Sequence, residues 1–169
     1  MVIKEVKVND YVTKSNLPAS DYVINPYIGC SHACKYCYAS FMKRFTGHKE
    51  EWGTFVDVKK CDKPINVAKL KGKNVFLSSV TDPYNHFEKD YEVTRKILEQ
   101  LVEAKCHLSI STKSDLILRD IDILKKFDNL EVCVSINTTD EKFRQDMDAA
   151  SSIEERFCTL KTLHDSGIH

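Results

Sequence analysis

The stretch from His107 to Asn137, HLSISTKSDLILRDIDILKKFDNLEVCVSIN, decides the fold. Its two ends, His107–Lys113 (HLSISTK) and Glu131–Asn137 (EVCVSIN), alternate apolar and polar residues, the period of a strand with one buried face. Between them, Asp120 to Phe127 carries Ile121, Ile123 and Leu124 at helical spacing. Strand, helix, strand is a crossover unit, and strands joined by a crossover run parallel. The alternation continues upstream. Asn74–Val80 (NVFLSSV) reads as a strand, Tyr91–Lys105 as a helix with Ile97, Leu98, Leu101 and Val102 on one face, and Asp21–Gly29 (DYVINPYIG) as a first strand. Downstream, Ser152 and Glu155 form a capping box that opens a helix through Phe157, Leu160 and Leu163 to a stop at Gly167. The fold class is therefore α/β, and the expectation is a partial, incomplete (β/α) barrel of about four parallel strands with outer helices, in a single domain over residues 1–169.

Read at period two, Ser109, Ser111 and Lys113 share one face of the third strand, opposite Leu108 and Ile110. Cys133, Ser135 and Asn137 share a face of the fourth, opposite Val132, Val134 and Ile136. The apolar sets suit a helix-covered exterior, so the polar sets face the interior. Asp82, Lys113 and Asn137 fall at the C-terminal ends of their strands, where (β/α) barrels build their sites. Ile168 and His169, after Gly167, read as the start of a fifth strand. Four strands cannot close a barrel and leave a hydrogen-bonding edge, so the chain is expected to be the N-terminal portion of a longer barrel or to be completed by another chain.

Twenty-five Lys and Arg balance 25 Asp and Glu, and 42% of the residues are hydrophobic. This is a globular composition, and zero net charge supplies no cationic face for a nucleic-acid backbone. No apolar run approaches the roughly 18 residues of a membrane span, and MVIKEVKVNDYV lacks the apolar core of a signal peptide, so the expectation is a cytoplasmic chain with no membrane partner. The anomaly is seven cysteines, an odd number in a chain without a secretion signal, which favours metal ligation over disulfides. Cys30, Cys34 and Cys37 cluster in Asn25–Ala39, NPYIGCSHACKYCYA, with C-x3-C-x2-C spacing; Cys61, Cys106, Cys133 and Cys158 are scattered and assigned to structure. Three thiolates on one loop can hold three corners of a cubane and leave one iron open. Structural zinc wants four protein ligands, and only His32 lies near enough to be a fourth.

CSHACKYC, with Tyr36 before its last cysteine, resembles the signature of the radical S-adenosylmethionine (radical SAM) superfamily. Together with HKEEWGTFVDVK, SSVTDPY, TRKILEQL, STKSDLILRDIDILKK and SIEERFCTLKTLHDSGI, in that order, it resembles the branch related to spore photoproduct lyase, often labelled DNA repair photolyase. The resemblance implies a 4Fe-4S cluster on Cys30, Cys34 and Cys37, with S-adenosyl-L-methionine chelating the open iron. It implies reduction by an external electron donor of the flavodoxin or ferredoxin type, and reductive cleavage of SAM to a 5'-deoxyadenosyl radical that abstracts hydrogen from an unknown substrate. By similarity to the lyase, Tyr36 contacts the adenosyl group, Thr81 and Asp82 lie in the SAM-contacting segment, and Lys113 and Ser135 surround the SAM carboxylate.

Two departures bear on the substrate. The lyase keeps a cysteine beside the SSVTDPY segment as hydrogen-atom donor, and this chain has no thiol there; Cys133 faces inward and is read first as a small core residue. The neutral charge gives no support to DNA as partner, so DNA photoproduct repair stands as an alternative, as does a chain that binds the cluster without full catalysis. His48, Glu50 and Glu51 read as a solvated helix end with Trp52 anchoring the loop, and Thr94–Lys96 as an exposed helix face.

Overall fold

The computed structural model describes residues 1–169. Its eight strands are β1 (Val2–Lys7), β2 (Val12–Lys14), β3 (Tyr22–Ile24), β4 (Tyr27–Gly29), β5 (Phe55–Lys60), β6 (Asn74–Leu77), β7 (His107–Thr112) and β8 (Leu130–Val134). The helices are α1 (Glu88–Tyr91), α2 (Val93–Leu101), α3 (Ile121–Leu124), α4 (Glu141–Met147) and α5 (Ile153–Asp165), with short 3-10 segments between. Strands β3, β6, β7 and β8 pair in that order, all parallel, and β2 lies antiparallel on the β3 edge. These are the four parallel strands of the sequence reading. Leu108 and Ile110 pack outward beneath Ile97, Leu98 and Leu101 of α2 in one core, while Ser109, Ser111 and Lys113 stay half-buried on the opposite face. No helix is long and apolar enough to cross a membrane.

The second sheet, β1-β5-β4, was not read from the sequence. β1 runs parallel to β5, and β4 antiparallel to it. The stretch Asp21–Gly29 is not one strand but two, in different sheets. Pro26 has no N–H for a ladder, and its carbonyl accepts from Lys59, so the chain turns there from one sheet into the other. Gly29 ends β4 at φ +80, and a Cβ on it would lie 2.4 Å from the Phe55 carbonyl, so only glycine allows the cysteine loop this approach to β5.

The last helix starts as expected: Ser152 and Glu155 make the reciprocal capping box. Its buried face differs. Ile153, Arg156, Thr159 and Leu163 point inward, and Phe157 and Leu160 are exposed. The rotation follows from Arg156, which is 1% exposed because it has a buried carboxylate to meet. The Asp120–Phe127 helix is shortened to α3, preceded by a 3-10 turn over Asp115–Asp120. Thr94 is fully buried rather than exposed, and Arg95 reaches Asp120 at 2.8 Å. That contact belongs to a buried ionic group: Glu88, 0% exposed, takes the Tyr27 hydroxyl, the Thr94 and Arg95 N–H groups and Arg119 Nη2. Arg119 also pairs with the buried Asp120. Cys106 is buried, but Cys133 and Cys158 are exposed, so neither is a core residue; Cys133 lies on β8, the last strand in the sheet order, where the Val132 N–H donates to the His169 carbonyl at 2.7 Å.

Candidate functional site

The C-terminal ends of β6, β7 and β8 and the cysteine loop enclose a cavity of about 170 Å³. Its wall holds Cys30, Cys34, Cys37, Tyr36, Thr81, Asp82, Lys113 and Ser135, every residue singled out from the sequence as a ligand or cofactor contact. All three cysteines are free thiols and partly buried. No three His, Cys, Asp or Glu side chains converge on one point as a single ion requires; a cubane instead takes its thiolates on separate irons.

The loop that carries the thiols is shaped from both sides. The N–H of Ala33 (φ +48) donates to the Cys30 carbonyl, and that of Cys37 to the Cys34 carbonyl. The Lys35 N–H donates to the Met147 carbonyl at 2.9 Å, and the Ala149 N–H to the His32 carbonyl at 2.7 Å, so the segment after α4 docks along the loop. Between these contacts stands Asp148, buried, accepting from the Tyr36 hydroxyl at 3.2 Å and Arg156 Nη2 at 2.5 Å. Arg156 also donates to the Ser135 and Ser151 carbonyls. A single buried guanidinium thus ties the end of β8, the 148–151 turn and, through Asp148, the Tyr36 ring. Nothing local marks it: Arg156 is one more charged letter of a helix until its position proves to be inward.

Lys113 Nζ has no carboxylate or carbonyl partner in the protein and lies 5.8 Å from the centre of the Tyr36 ring, a cation-π contact. Asp82, next to it in the wall, is spoken for. Burial alone would raise its carboxyl, but His32, the Thr112 hydroxyl and the Lys113 N–H hold it below the usual range. The last two donate at 2.7 and 2.8 Å. Its carboxylate therefore orients the turn that presents Lys113. The Thr81 hydroxyl donates to the Gly29 carbonyl at 2.6 Å, fastening the β6 turn to the start of the cysteine loop. Ser135 keeps its hydroxyl free toward the cavity while its N–H extends the ladder to Thr112. Burial, then Asp82, pushes the Cys30 thiol up. Burial also raises Cys34, against the pull of Lys113. The Tyr36 hydroxyl is raised by burial, then by Cys34 and Asp148, and stays protonated at neutral pH.

Three buried polar atoms in this wall, both His32 ring nitrogens and Ser78 Oγ, have no hydrogen-bond partner within the protein. His32 Nδ1 comes within 3.3 Å of Asp82 but is not aligned for a hydrogen bond. Buried orphans carry a desolvation penalty, and a wall that concentrates them beside three thiols and an unpaired ammonium fits a polar, thiolate-ligated group with an anionic companion.

Behind the loop the 48–57 segment departs from the sequence reading. His48 is no solvated helix end: its side chain is 2% exposed, with Nδ1 2.9 Å from Glu50 and Nε2 2.9 Å from Asp57, itself buried. Its ring stacks on Phe55, and Trp52 meets Phe55 edge-on.

Comparison with known proteins bears on the family and the fold. The sequence matches the Radical SAM superfamily over residues 24–169. It is 42% identical to the uncharacterized protein MJ0683 of Methanocaldococcus jannaschii, over 98% of this chain and 64% of that one. It is 37% identical to the uncharacterized protein ORF301 of Acidianus two-tailed virus, over 80% of this chain and 46% of that one. The fold is that of spore photoproduct lyase: the lyase complexed with dinucleoside spore photoproduct aligns with a TM-score of 0.69 at 15% identity, over 97% of this chain and 48% of the lyase. A lyase mutant with bound AdoMet and the same dinucleoside aligns at 0.68 and 14% identity, over 98% of this chain and 48% of the lyase. The chain spans about half the length of these lyase structures.

Proposed function

The chain belongs to the radical SAM superfamily, and from that premise we propose that it holds a 4Fe-4S cluster on Cys30, Cys34 and Cys37 and binds S-adenosyl-L-methionine beside it. When bound, these two supply one-electron cleavage of SAM to a 5'-deoxyadenosyl radical that abstracts hydrogen from a substrate. The observation that carries the reading is the shared cavity: three free thiols, an ammonium without a counter-ion and three orphaned polar atoms in one wall.

The residues divide the work in physical terms. Lys113 offers its ammonium to the SAM carboxylate, a charge-assisted contact, and Ser135 adds a hydroxyl to the same group. Asp82 fixes the Lys113 backbone and so the direction from which the ammonium enters. Tyr36, neutral and held by Asp148, presents its ring beside the thiols as a face for the adenosyl group. Thr81 ties the β6 turn to the cysteine loop. The electron comes from an external donor of the flavodoxin or ferredoxin type.

Anaerobic reconstitution tests the proposal. The expected result is a brown protein with one cubane per chain that releases 5'-deoxyadenosine and methionine on reduction, with colour lost in Cys34→Ala. A colourless chain that retains only zinc overturns it.

A further inference from the structure

Trp52 donates its indole N–H to Cys37 Sγ at 3.3 Å. Indole is a donor only, so this contact has one direction. Its aim is fixed by the packing behind it. The Trp52 ring meets Phe55 edge-on, with centroids 5.7 Å apart and planes at 89°. Phe55 stacks on His48 at 3.9 Å and 14°, and His48 is pinned by Glu50 and Asp57. Gly53, at φ +94, presses the turn against the cysteine loop so closely that a Cβ there would lie 2.9 Å from Ala33 Cα. Such bracing is more than a loop anchor needs; it holds a donor on a sulfur.

Hydrogen bonds to ligand sulfurs are among the levers by which a protein sets the potential of an iron-sulfur cluster. The reduced cluster carries one more negative charge, shared with its thiolates. An N–H dipole aimed at one of them therefore stabilises the reduced form more than the oxidised form. We propose that Trp52 is a positioning residue that makes the cluster easier to reduce, through the hydrogen bond from its indole N–H to Cys37. The inference rests on the cluster assignment proposed above.

Trp52 is the only tryptophan in the chain, so growth of a tryptophan auxotroph on benzothienylalanine replaces that N–H, and nothing else, with a sulfur in a ring of the same shape. Trp52→Phe removes the same donor by mutation. The measurements are iron content and the midpoint potential of the reconstituted cluster, followed by its reduced-state electron paramagnetic resonance signal. The expected result is unchanged iron content, a midpoint displaced to more negative potential in both altered chains, and indole emission in the unaltered chain quenched when the cluster loads. Coincident midpoints in loaded chains overturn the inference. Loss of the cluster from the benzothienyl chain also overturns it, because the donor would then hold the cluster rather than set its potential. If Trp52→Phe fails to fold, the analogue decides alone. An unaltered chain that takes up no iron fails the cofactor assignment, and this inference with it; equal midpoints fail only the inference.

Discussion

Replacing Arg156 by leucine removes a guanidinium that is 1% exposed and makes hydrogen bonds to Asp148, Ser135 and Ser151. The largest consequence falls on Asp148, whose carboxylate, 0% exposed, loses its 2.5 Å partner. It keeps the Ala150 N–H and the Tyr36 hydroxyl as donors, and Arg144 Nη1 stays at 4.0 Å. Breaking a buried pair by removing one partner costs about 3–5 kcal/mol, and the remaining donors place this case near the lower end, about 3 kcal/mol. At roughly 2–4 °C per kcal/mol for a chain of this size, Tm should fall by about 6–12 °C. The control is the double replacement Arg156→Leu with Asp148→Leu, which removes both charges together. Replacing a buried ion pair with apolar residues is often close to neutral, so the double variant should recover a large part of the loss, a coupling of more than about 1 kcal/mol. Differential scanning calorimetry on the three variants reads the cycle. A single variant within about 2 °C of wild type, or a double variant whose loss is the sum of the singles, refutes the account.

Lys113→Met keeps the aliphatic stem and removes the charge, and SAM affinity measured by calorimetric titration of the reconstituted protein should weaken roughly 10- to 100-fold, the range of a charge-assisted contact; an unchanged Kd removes Lys113 from the site. Glu88→Ala leaves the Thr94 and Arg95 N–H groups and the Tyr27 hydroxyl without their acceptor and takes from Arg119 one of its two carboxylate partners, Asp120 remaining, so urea unfolding should show a loss of about 3 kcal/mol; a midpoint matching wild type contradicts the network. Glu50 is held at about 2, below its ordinary 4.5, by a backbone N–H and by His48. The folded state then binds fewer protons than the unfolded one, so the contribution is complete above about pH 4.5 and disappears as pH falls toward 2. Thermal unfolding followed through that window should decline more steeply in wild type than in Glu50→Gln, and added salt should reduce the difference; parallel slopes exclude the pairing.

The parts of the fold legible in the sequence are those in which local pattern and final environment coincide. β7 alternates Leu108 and Ile110 with Ser109 and Ser111, and the structure buries the first pair and turns the second toward the interior. The capping box at Ser152 is a contact among near neighbours, so its letters suffice. The thiol spacing marks the site for the same reason. Tertiary pairing was not legible. Arg156 and Asp57 are ordinary surface letters until Asp148 and His48 arrive to neutralise or hydrogen-bond them, and no periodicity records that meeting. The face of α5 that carries Phe157 and Leu160 is the outer one, against its apolar letters, because one buried arginine outweighs two apolar residues in setting the helix rotation. β1 (VIKEVK) and β5 (FVDVKK) mix lysine and acidic residues among their valines, so their letters resemble a solvated segment until their pairing is known.

The docking of the 147–149 turn on the cysteine loop also has a temporal consequence. Tyr36 and Asp148 lie 112 residues apart in sequence, and the His32 carbonyl waits on Ala149 across a similar span. During synthesis the three thiols emerge early, on a loop whose second wall does not yet exist. Closing so long a segment is entropically slow compared with forming the helices within it. The nascent chain therefore displays its cysteines unbraced until Arg156 has been made and folded back, which separates exposure of the thiols from docking of the 147–149 turn against their loop.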